Sequence, residues 1–230
     1  MIKQLLFLTI PFLFACTSSV QNQLTAEEKE QGWILLFDGS SADAWKGINA
    51  DALPDSGWKI ENNEFMVLGG GGDIITKENF GNFHLKLDFN CNAGANSGIK
   101  YYVDLHLDTA KNKYYALGLE YQILDDDRHP DATKGSHEGS RTVASLYDLI
   151  KAEGKTVNPA GEWNHAEIIA RDNHVEHWLN GKKVVEYERG SEAYLKLISK
   201  ANIKIMPVLV SRKKRPSFFR IMAIPFATAI

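Results

Sequence analysis

Cysteine is nearly absent from this chain: Cys16 and Cys91 are the only two in 230 residues, too few for a disulfide framework. No HExxH or CxxC spacing occurs, so the common zinc sites are excluded. There is no phosphate loop either. The four glycines at 69–72 lie between strand patterns with no helix start behind them, and they read as a wide, mobile turn. A serine nucleophile elbow, a dinucleotide fingerprint and internal repeats are also missing. Positive charge is not in excess, with 26 Lys+Arg against 29 Asp+Glu, which argues against a nucleic-acid partner. What is present is a 44% hydrophobic and 10% aromatic composition, enough for a core and incompatible with disorder or a collagen-like chain.

The two ends differ from the middle. Residues 1–16 read MIKQLLFLTIPFLFAC, with one Lys, a short apolar stretch and then Cys16. The stretch is too short to span a bilayer and has the flanks of a secretory signal. Leu13, Phe14, Ala15 and Cys16 resemble a bacterial lipobox, which predicts cleavage after residue 15 and lipidation of Cys16. Residues 16–31 then form a tether and a short capped helix at 25–31. The expected mature protein is exported to the cell envelope and held at a membrane by its lipid, with Cys91 left unpaired.

Strand signals follow at short spacing: residues 33–37, 58–61, 64–68, 83–90, 99–103, 117–124, 163–171, 175–179 and 182–186. The stretch at 83–90 alternates most cleanly, with Leu85, Leu87 and Phe89 on one face and His84, Lys86 and Asp88 on the other. Asn180-Gly181 is a strong two-residue hairpin signal, because both turn positions need positive φ. No helical pattern longer than a few turns precedes 191–199. Many strands and few helices predict a single all-β domain, a sandwich or jelly roll.

The chemistry concentrates between Glu120 and Asp148. Alternation places Glu120 and Gln122 side by side on one face of a strand, and a long loop follows that carries Asp125, Arg128, His129, Asp131, His137, Arg141 and Tyr147. Two carboxylates on one strand would suggest a retaining glycosidase, but alternation sets Asp125 on the opposite face from Glu120. A solvated acidic loop with Glu120 paired to a Lys or Arg is the bland alternative. His174 and His177 point to opposite faces and are not a ligand pair. Trp45, Trp58, Trp163 and Trp178 read as core before sugar platforms.

A set of segments carries a family resemblance: FDGSSADAW at 37–45, WKIENNE at 58–64, NAGANSGI at 92–99, LEYQILDD at 119–126, HPDA at 129–132, ASLYDL at 144–149, GEWNHAEI at 161–168 and HWLNGKKVVEYE at 177–188. In this order and spacing the chain resembles the 3-keto-disaccharide hydrolase domain family over roughly residues 32–199. The resemblance implies a concanavalin A/laminin-G-like jelly-roll β-sandwich at 32–207. It also implies cleavage of glycosides already oxidised at C3, with an oxidised oligosaccharide or glucoside as partner.

A C3 carbonyl acidifies the C2–H bond, so a base can form an enediolate and the C1 aglycone can leave by elimination. Such a site needs a base, a donor or cation at the enediolate oxygen, and an acid at the leaving oxygen. No redox cofactor is needed. Glu120, His129 and His137 are the candidates for acid and base. Asn96, Gln122, Asp125, Asp131 and Tyr147 are candidates for binding sugar hydroxyls, and Asn96, Gln122 and Asp125 alternatively for holding a divalent cation. A non-catalytic lectin-like module and a hydrolase of unoxidised glycosides are the other function classes.

After the last helix, members of this family usually carry a strand resembling G-x-I-x-L-Q-D-H-G-x-x-V. Residues 208–230 instead hold five basic side chains, Arg212, Lys213, Lys214, Arg215 and Arg220, and no acid. Codons permitted for 218–230, read one base earlier, give L-L-Q-D-H-G-N-T-V-C-Y-R-N, which matches the expected strand in order. The pattern is that of a single-base loss near Pro207–Val208; a basic membrane-contacting tail is the other reading. Without Lys3 and those five residues, 20 Lys+Arg face 29 Asp+Glu, leaving an acidic body of −9 at 16–207.

Overall fold

A computed structural model describes residues 22–201 and the main chain of 217–221. The signal, the lipobox Cys16 and most of the anomalous tail lie outside the described residues.

Helix α1 (Ala26–Glu30) starts at Thr25, whose hydroxyl accepts from the Glu28 N–H while the Glu28 carboxylate accepts from the Thr25 N–H. Four short strands follow: β1 (Trp45–Gly47), β2 (Trp58–Glu61), β3 (Glu64–Val67) and β4 (Ile74–Thr76). They form two small ribbons, β1 with β4 and β2 with β3. The glycine tract between β3 and β4 is a turn packed on its neighbour. A Cβ on Gly71 would collide with the Ser56 carbonyl and the Trp58 ring, and Trp58 Nε1 donates to the Gly72 carbonyl at 3.0 Å.

Among the described residues, two four-stranded antiparallel sheets make the body. One contains β5 (Asn79–Phe80), β7 (Asn96–Asp108), β8 (Lys113–Leu124) and β12 (Ser217–Ile221), in the order β5-β12-β7-β8. The other contains β6 (Phe83–Asn90), β9 (Trp163–Arg171), β10 (His174–Leu179) and β11 (Lys182–Glu188), in the order β11-β10-β9-β6. Asn180 and Gly181 join β10 to β11 with φ of 49° and 76°, the geometry that the hairpin signal requires. Helix α2 (Glu192–Lys200) is capped by Ser191 and buries Tyr194 and Ile198.

The core lies between the sheets. Tyr101, Tyr121, Ile123, Ala166, Ile168 and Val175 point into it and are fully buried. In β6 the expected alternation holds, with Leu85, Leu87 and Phe89 buried. The fold is an all-β sandwich. Trp45 and Trp58 are core residues at 1% and 7% exposure, whereas Trp163 is 36% exposed.

One strand expectation fails. Residues 33–37 are irregular, and Ile34 and Leu35 are 60% and 39% exposed. A strand is defined by its partner, and among the described residues no main-chain hydrogen bond joins 34–37 to β6 beside it. At the other end, the tail supplies a strand although its sequence departs from the expected pattern. Phe218 pairs with Val103 and Ile221 with Ile99, so β12 covers the edge that β7 would otherwise expose.

Candidate functional site

The site is built on the outer face of β7 and β8. Because side chains alternate, Tyr121 and Ile123 enter the core and Glu120 projects outward. Lys100 is its register partner on β7, and Lys100 Nζ lies 3.9 Å from Glu120 Oε2. Two glycines leave the floor bare. A Cβ on Gly98 would overlap the Glu120 carboxylate, and one on Gly118 would press on the Tyr101 carbonyl. The Glu120 side chain is 19% exposed. Burial raises its carboxyl above the ordinary value of 4.5; Lys100 opposes this and the nearby Asp131 charge adds to it.

The loop after β8 folds back along it. Ala144 N–H donates to the Gln122 carbonyl (2.8 Å), Gln122 N–H to Ser145 (3.1 Å), and Tyr147 N–H to Glu120 (2.9 Å). This course needs left-handed backbone at two non-glycine residues, Ala144 (φ 65°) and Asp148 (φ 61°). Fully buried His177 secures the first. Its Nδ1 lies 2.9 Å from the Ala144 carbonyl, an acceptor, so Nδ1 carries the proton. Nε2 then accepts from the Tyr101 hydroxyl at 2.6 Å, which in turn accepts from Tyr187 at 2.8 Å. Burial lowers the His177 imidazole to about 4 and keeps it neutral.

The loop forms a polar wall beside Glu120. The Tyr147 hydroxyl donates to Asp131 Oδ2 at 3.0 Å, Arg141 Nη1 to Asp131 Oδ1 at 2.8 Å, and Arg141 Nε to Asp148 Oδ1 at 2.7 Å. The guanidinium also lies 4.9 Å from the Tyr147 ring centre. Ser136 donates to Asp148 through both its N–H and its hydroxyl. Burial pushes the Asp148 carboxyl up, but the bonds from Arg141 and Ser136 outweigh it and hold the group below 3.8. Burial, followed by the bond to Asp131, raises the Tyr147 hydroxyl to about 12, against the pull of Arg141. His129 starts the 3-10 turn Pro130–Thr133, its Nδ1 accepting from the Asp131 N–H at 3.2 Å.

Of the sequence candidates, Glu120, Asp131 and Tyr147 come together, with His129 behind Asp131. The others have different surroundings. Gln122 is fully buried; its amide Nε2 reaches Asn96 Oδ1 at 3.5 Å and its Oε1 accepts from the Ile123 N–H. Asn96 is exposed at the start of β7. Asp125 accepts from the Gly94 N–H at 2.7 Å, from Arg128 and from the Asp127 N–H. Burial raises its carboxyl, yet these bonds win and lower it. His137 turns to α2, with Nε2 3.4 Å from the Leu197 carbonyl.

Asn96, Gln122 and Asp125 thus spend their polar atoms on each other or on the chain, and do not converge as cation ligands. Among the described residues, the group with metal-ligand proximity is His174, Glu176 and Glu186, far from Glu120 on the other sheet. There Lys183 Nζ already lies 3.1 and 2.7 Å from the two carboxylates. Sequence reasoning missed Lys100, Arg141 and Asp148 as site residues. Register across the β7–β8 pair would have supplied Lys100; the other two depend on the loop's path.

Residues 32–222 match the 3-keto-alpha-glucoside-1,2-lyase-like domain. The chain belongs to that family. A 3-keto-disaccharide hydrolase of Bacteroides thetaiotaomicron is 36% identical over 184 residues, covering 73% of this chain and 62% of the relative. The match therefore spans less than two thirds of that relative's length. A solved protein of Parabacteroides distasonis, assigned to the glycosyl hydrolases, superposes with a TM-score of 0.72 at 32% identity, covering 86% of this chain and 95% of its own. A second protein from that organism, 18% identical with a TM-score of 0.53, covers 81% of this chain and 75% of its own and shares the fold. The sandwich is thus the family's architecture, with Glu120 and the Arg141 wall on one of its faces.

Proposed function

We propose that this chain cleaves 3-keto-glycosides by elimination across C1 and C2, followed by hydration. The observation that carries this reading is the pairing of Glu120, a part-buried carboxyl with a raised pKa, with Lys100 on a floor cleared by Gly98 and Gly118. The Bacteroides relative's name and the 1,2-lyase description of the family support the same bond.

Glu120 removes the C2 proton, and the electron pair of that bond passes to the C3 oxygen. Lys100 holds the resulting enediolate through its ammonium charge. The pair then restores C3=O as C1=C2 forms and the C1–O bond breaks. The departing oxygen takes a proton from Tyr147, which its environment keeps protonated. Water adds at C1, Glu120 returns its proton to C2, and the water proton restores Tyr147. Arg141 and Asp148 act by fixing Asp131 and Tyr147 in place.

The test is turnover of a 3-keto-disaccharide labelled with deuterium at C2. Glu120→Gln should cut the rate about 10²- to 10⁴-fold, the usual worth of a general base. Cleavage of the unoxidised disaccharide at an equal rate, or binding without turnover by the unaltered chain, would overturn the reading.

Export and lipid attachment at Cys16 belong to the same proposal, and the mass of the mature chain tests them: an unmodified residue 16 refutes the anchor. The tail from residue 208 is read as the product of a one-base loss, and resequencing the gene decides it. An upstream frame without a Q-D-H-G reading ends that idea.

A further inference from the structure

The sheet opposite Glu120 carries a second concentration of polar and aromatic side chains. A groove of about 1060 Å³ runs along β6 and reaches Trp163 and His165 of β9. Alternation turns Leu85, Leu87, Ala166 and Ile168 into the core. It leaves His84, Lys86 and Asp88 of β6 and Trp163, His165 and Glu167 of β9 on the outer face. The ladder sets Asp88 opposite His165, and Lys86 opposite Glu167.

Four of these groups form one chain. His165 Nδ1 lies 2.6 Å from Asp88 Oδ1, His165 Nε2 3.6 Å from Glu167 Oε1, and Glu167 Oε2 2.6 Å from His84 Nε2. The bond to Asp88 outweighs burial and raises the His165 imidazole above its ordinary 6.5. The pair stays open to solvent, with side chains 62% and 41% exposed for Asp88 and His165.

Two indoles bound this polar stretch. Trp33 closes one end, its ring centre 4.6 Å from Lys86 Nζ and 4.9 Å from the His84 ring. Trp163 marks the other end and is 36% exposed. From Trp163 to Glu167, which lies opposite Lys86, is about 13 Å at ~3.3 Å per residue. The Asp88–His165 pair sits midway along that span.

An indole face covers the C–H face of a sugar ring, while carboxylate and imidazole edges accept from and donate to its hydroxyls. Each carboxylate already faces an imidazole and the Lys86 ammonium faces an indole, so the surface favours a hydroxyl-rich ligand over a polyion. Strands supply the floor, which fixes these side chains relative to one another.

We propose that the outer face of β6 and β9 between Trp163 and Trp33 is a second carbohydrate-binding site. It takes a short uncharged oligosaccharide, stacked on Trp163 and hydrogen-bonded to Asp88 and His165. The site is independent of the reaction assigned to Glu120, and its binding is read without that reaction.

The test titrates the full chain by calorimetry with maltohexaose, cellohexaose and mannohexaose, and with hexagalacturonate as the charged comparison. At least one neutral hexasaccharide should bind. Trp163→Ala and Asp88→Ala should each weaken that binding by about tenfold or more and leave 3-keto-disaccharide turnover unchanged. A second measurement locates the ligand: the same hexasaccharide carrying a diazirine should label residues 83–90 or 161–167 on irradiation. The proposal is overturned if no neutral hexasaccharide binds, if hexagalacturonate binds more tightly, or if neither substitution weakens binding. Labelling confined to 117–124 and 144–148 likewise overturns it.

Discussion

Replacing Gly98 by alanine should stabilise the protein less while Glu120 is present than when it is removed. The φ of Gly98 lies outside the left-handed range, so alanine fits the backbone, and on that ground alone the change should stabilise by about 0.4–1 kcal/mol. The new methyl, however, would overlap the Oε1, Cδ and Cγ atoms of Glu120. The atoms met are the far end of a flexible side chain, which can swing aside, so the cost lies at or below the low end of the ~1–3 kcal/mol of core overpacking. Gly98→Ala should therefore change stability by less than about 1 kcal/mol in the native sequence and raise it by about 0.4–1 kcal/mol when Glu120 is also alanine. The coupling of about 1 kcal/mol is read from urea denaturation of the four members of a double-mutant cycle. The displaced carboxylate should also reduce 3-keto-disaccharide turnover, on the order of 10²-fold for a shift near 1 Å. Equal effects of Gly98→Ala in both backgrounds would refute the close approach of Gly98 to Glu120, and with it the bare floor on which the site rests.

Arg141→Met leaves the buried Asp148 carboxylate its Ser136 bonds but no charge partner and should cost about 3–5 kcal/mol, measurable by denaturant titration; a cost under about 1 kcal/mol would contradict the wall as described. Because the folded Asp148 pKa lies below 3.8, its contribution is present above that pH and is lost as pH falls through the depressed value. His177 is neutral when folded, with a pKa of about 4 against 6.5 when unfolded, so the unfolded chain binds the extra proton between those values. The His177 contribution should fall by about 2 kcal/mol from pH 7 to pH 5, partly offset by His165, whose raised pKa favours the folded state as pH falls; His177→Phe should remove that loss in melts at the two pH values. The acid limb of kcat/KM should lie above 4.5, tracking the raised Glu120 carboxyl; a limb at or below 4.5 assigns the base elsewhere.

Local alternation made most of the strands legible. The 83–90 stretch and the Asn180-Gly181 turn needed only side-chain period and backbone sign. Residues 33–37 read as a strand because their composition suits one, but pairing is decided by a partner, which sequence period does not contain. Glu120 was legible for the same reason as β6, as an outward carboxylate on an otherwise buried strand. Arg141 and Asp148 were not. Their roles arise from a loop that turns through left-handed backbone at Ala144, held by a core histidine far away in sequence. Gln122 illustrates the opposite error: alternation put it beside Glu120, while the fold-back of 144–145 buried it.

The fold-back along β8 has a consequence for how such a site can diversify. The segment 144–147 supplies Tyr147 to the wall and also occupies the outer rim of β8, whose main-chain groups would otherwise be open to other chains. Shortening this loop to admit a bulkier substrate would bare an adhesive strand. New specificities should therefore arise by side-chain exchange within a loop of fixed course, and deletions here should be recovered as aggregates before they are recovered as altered catalysts.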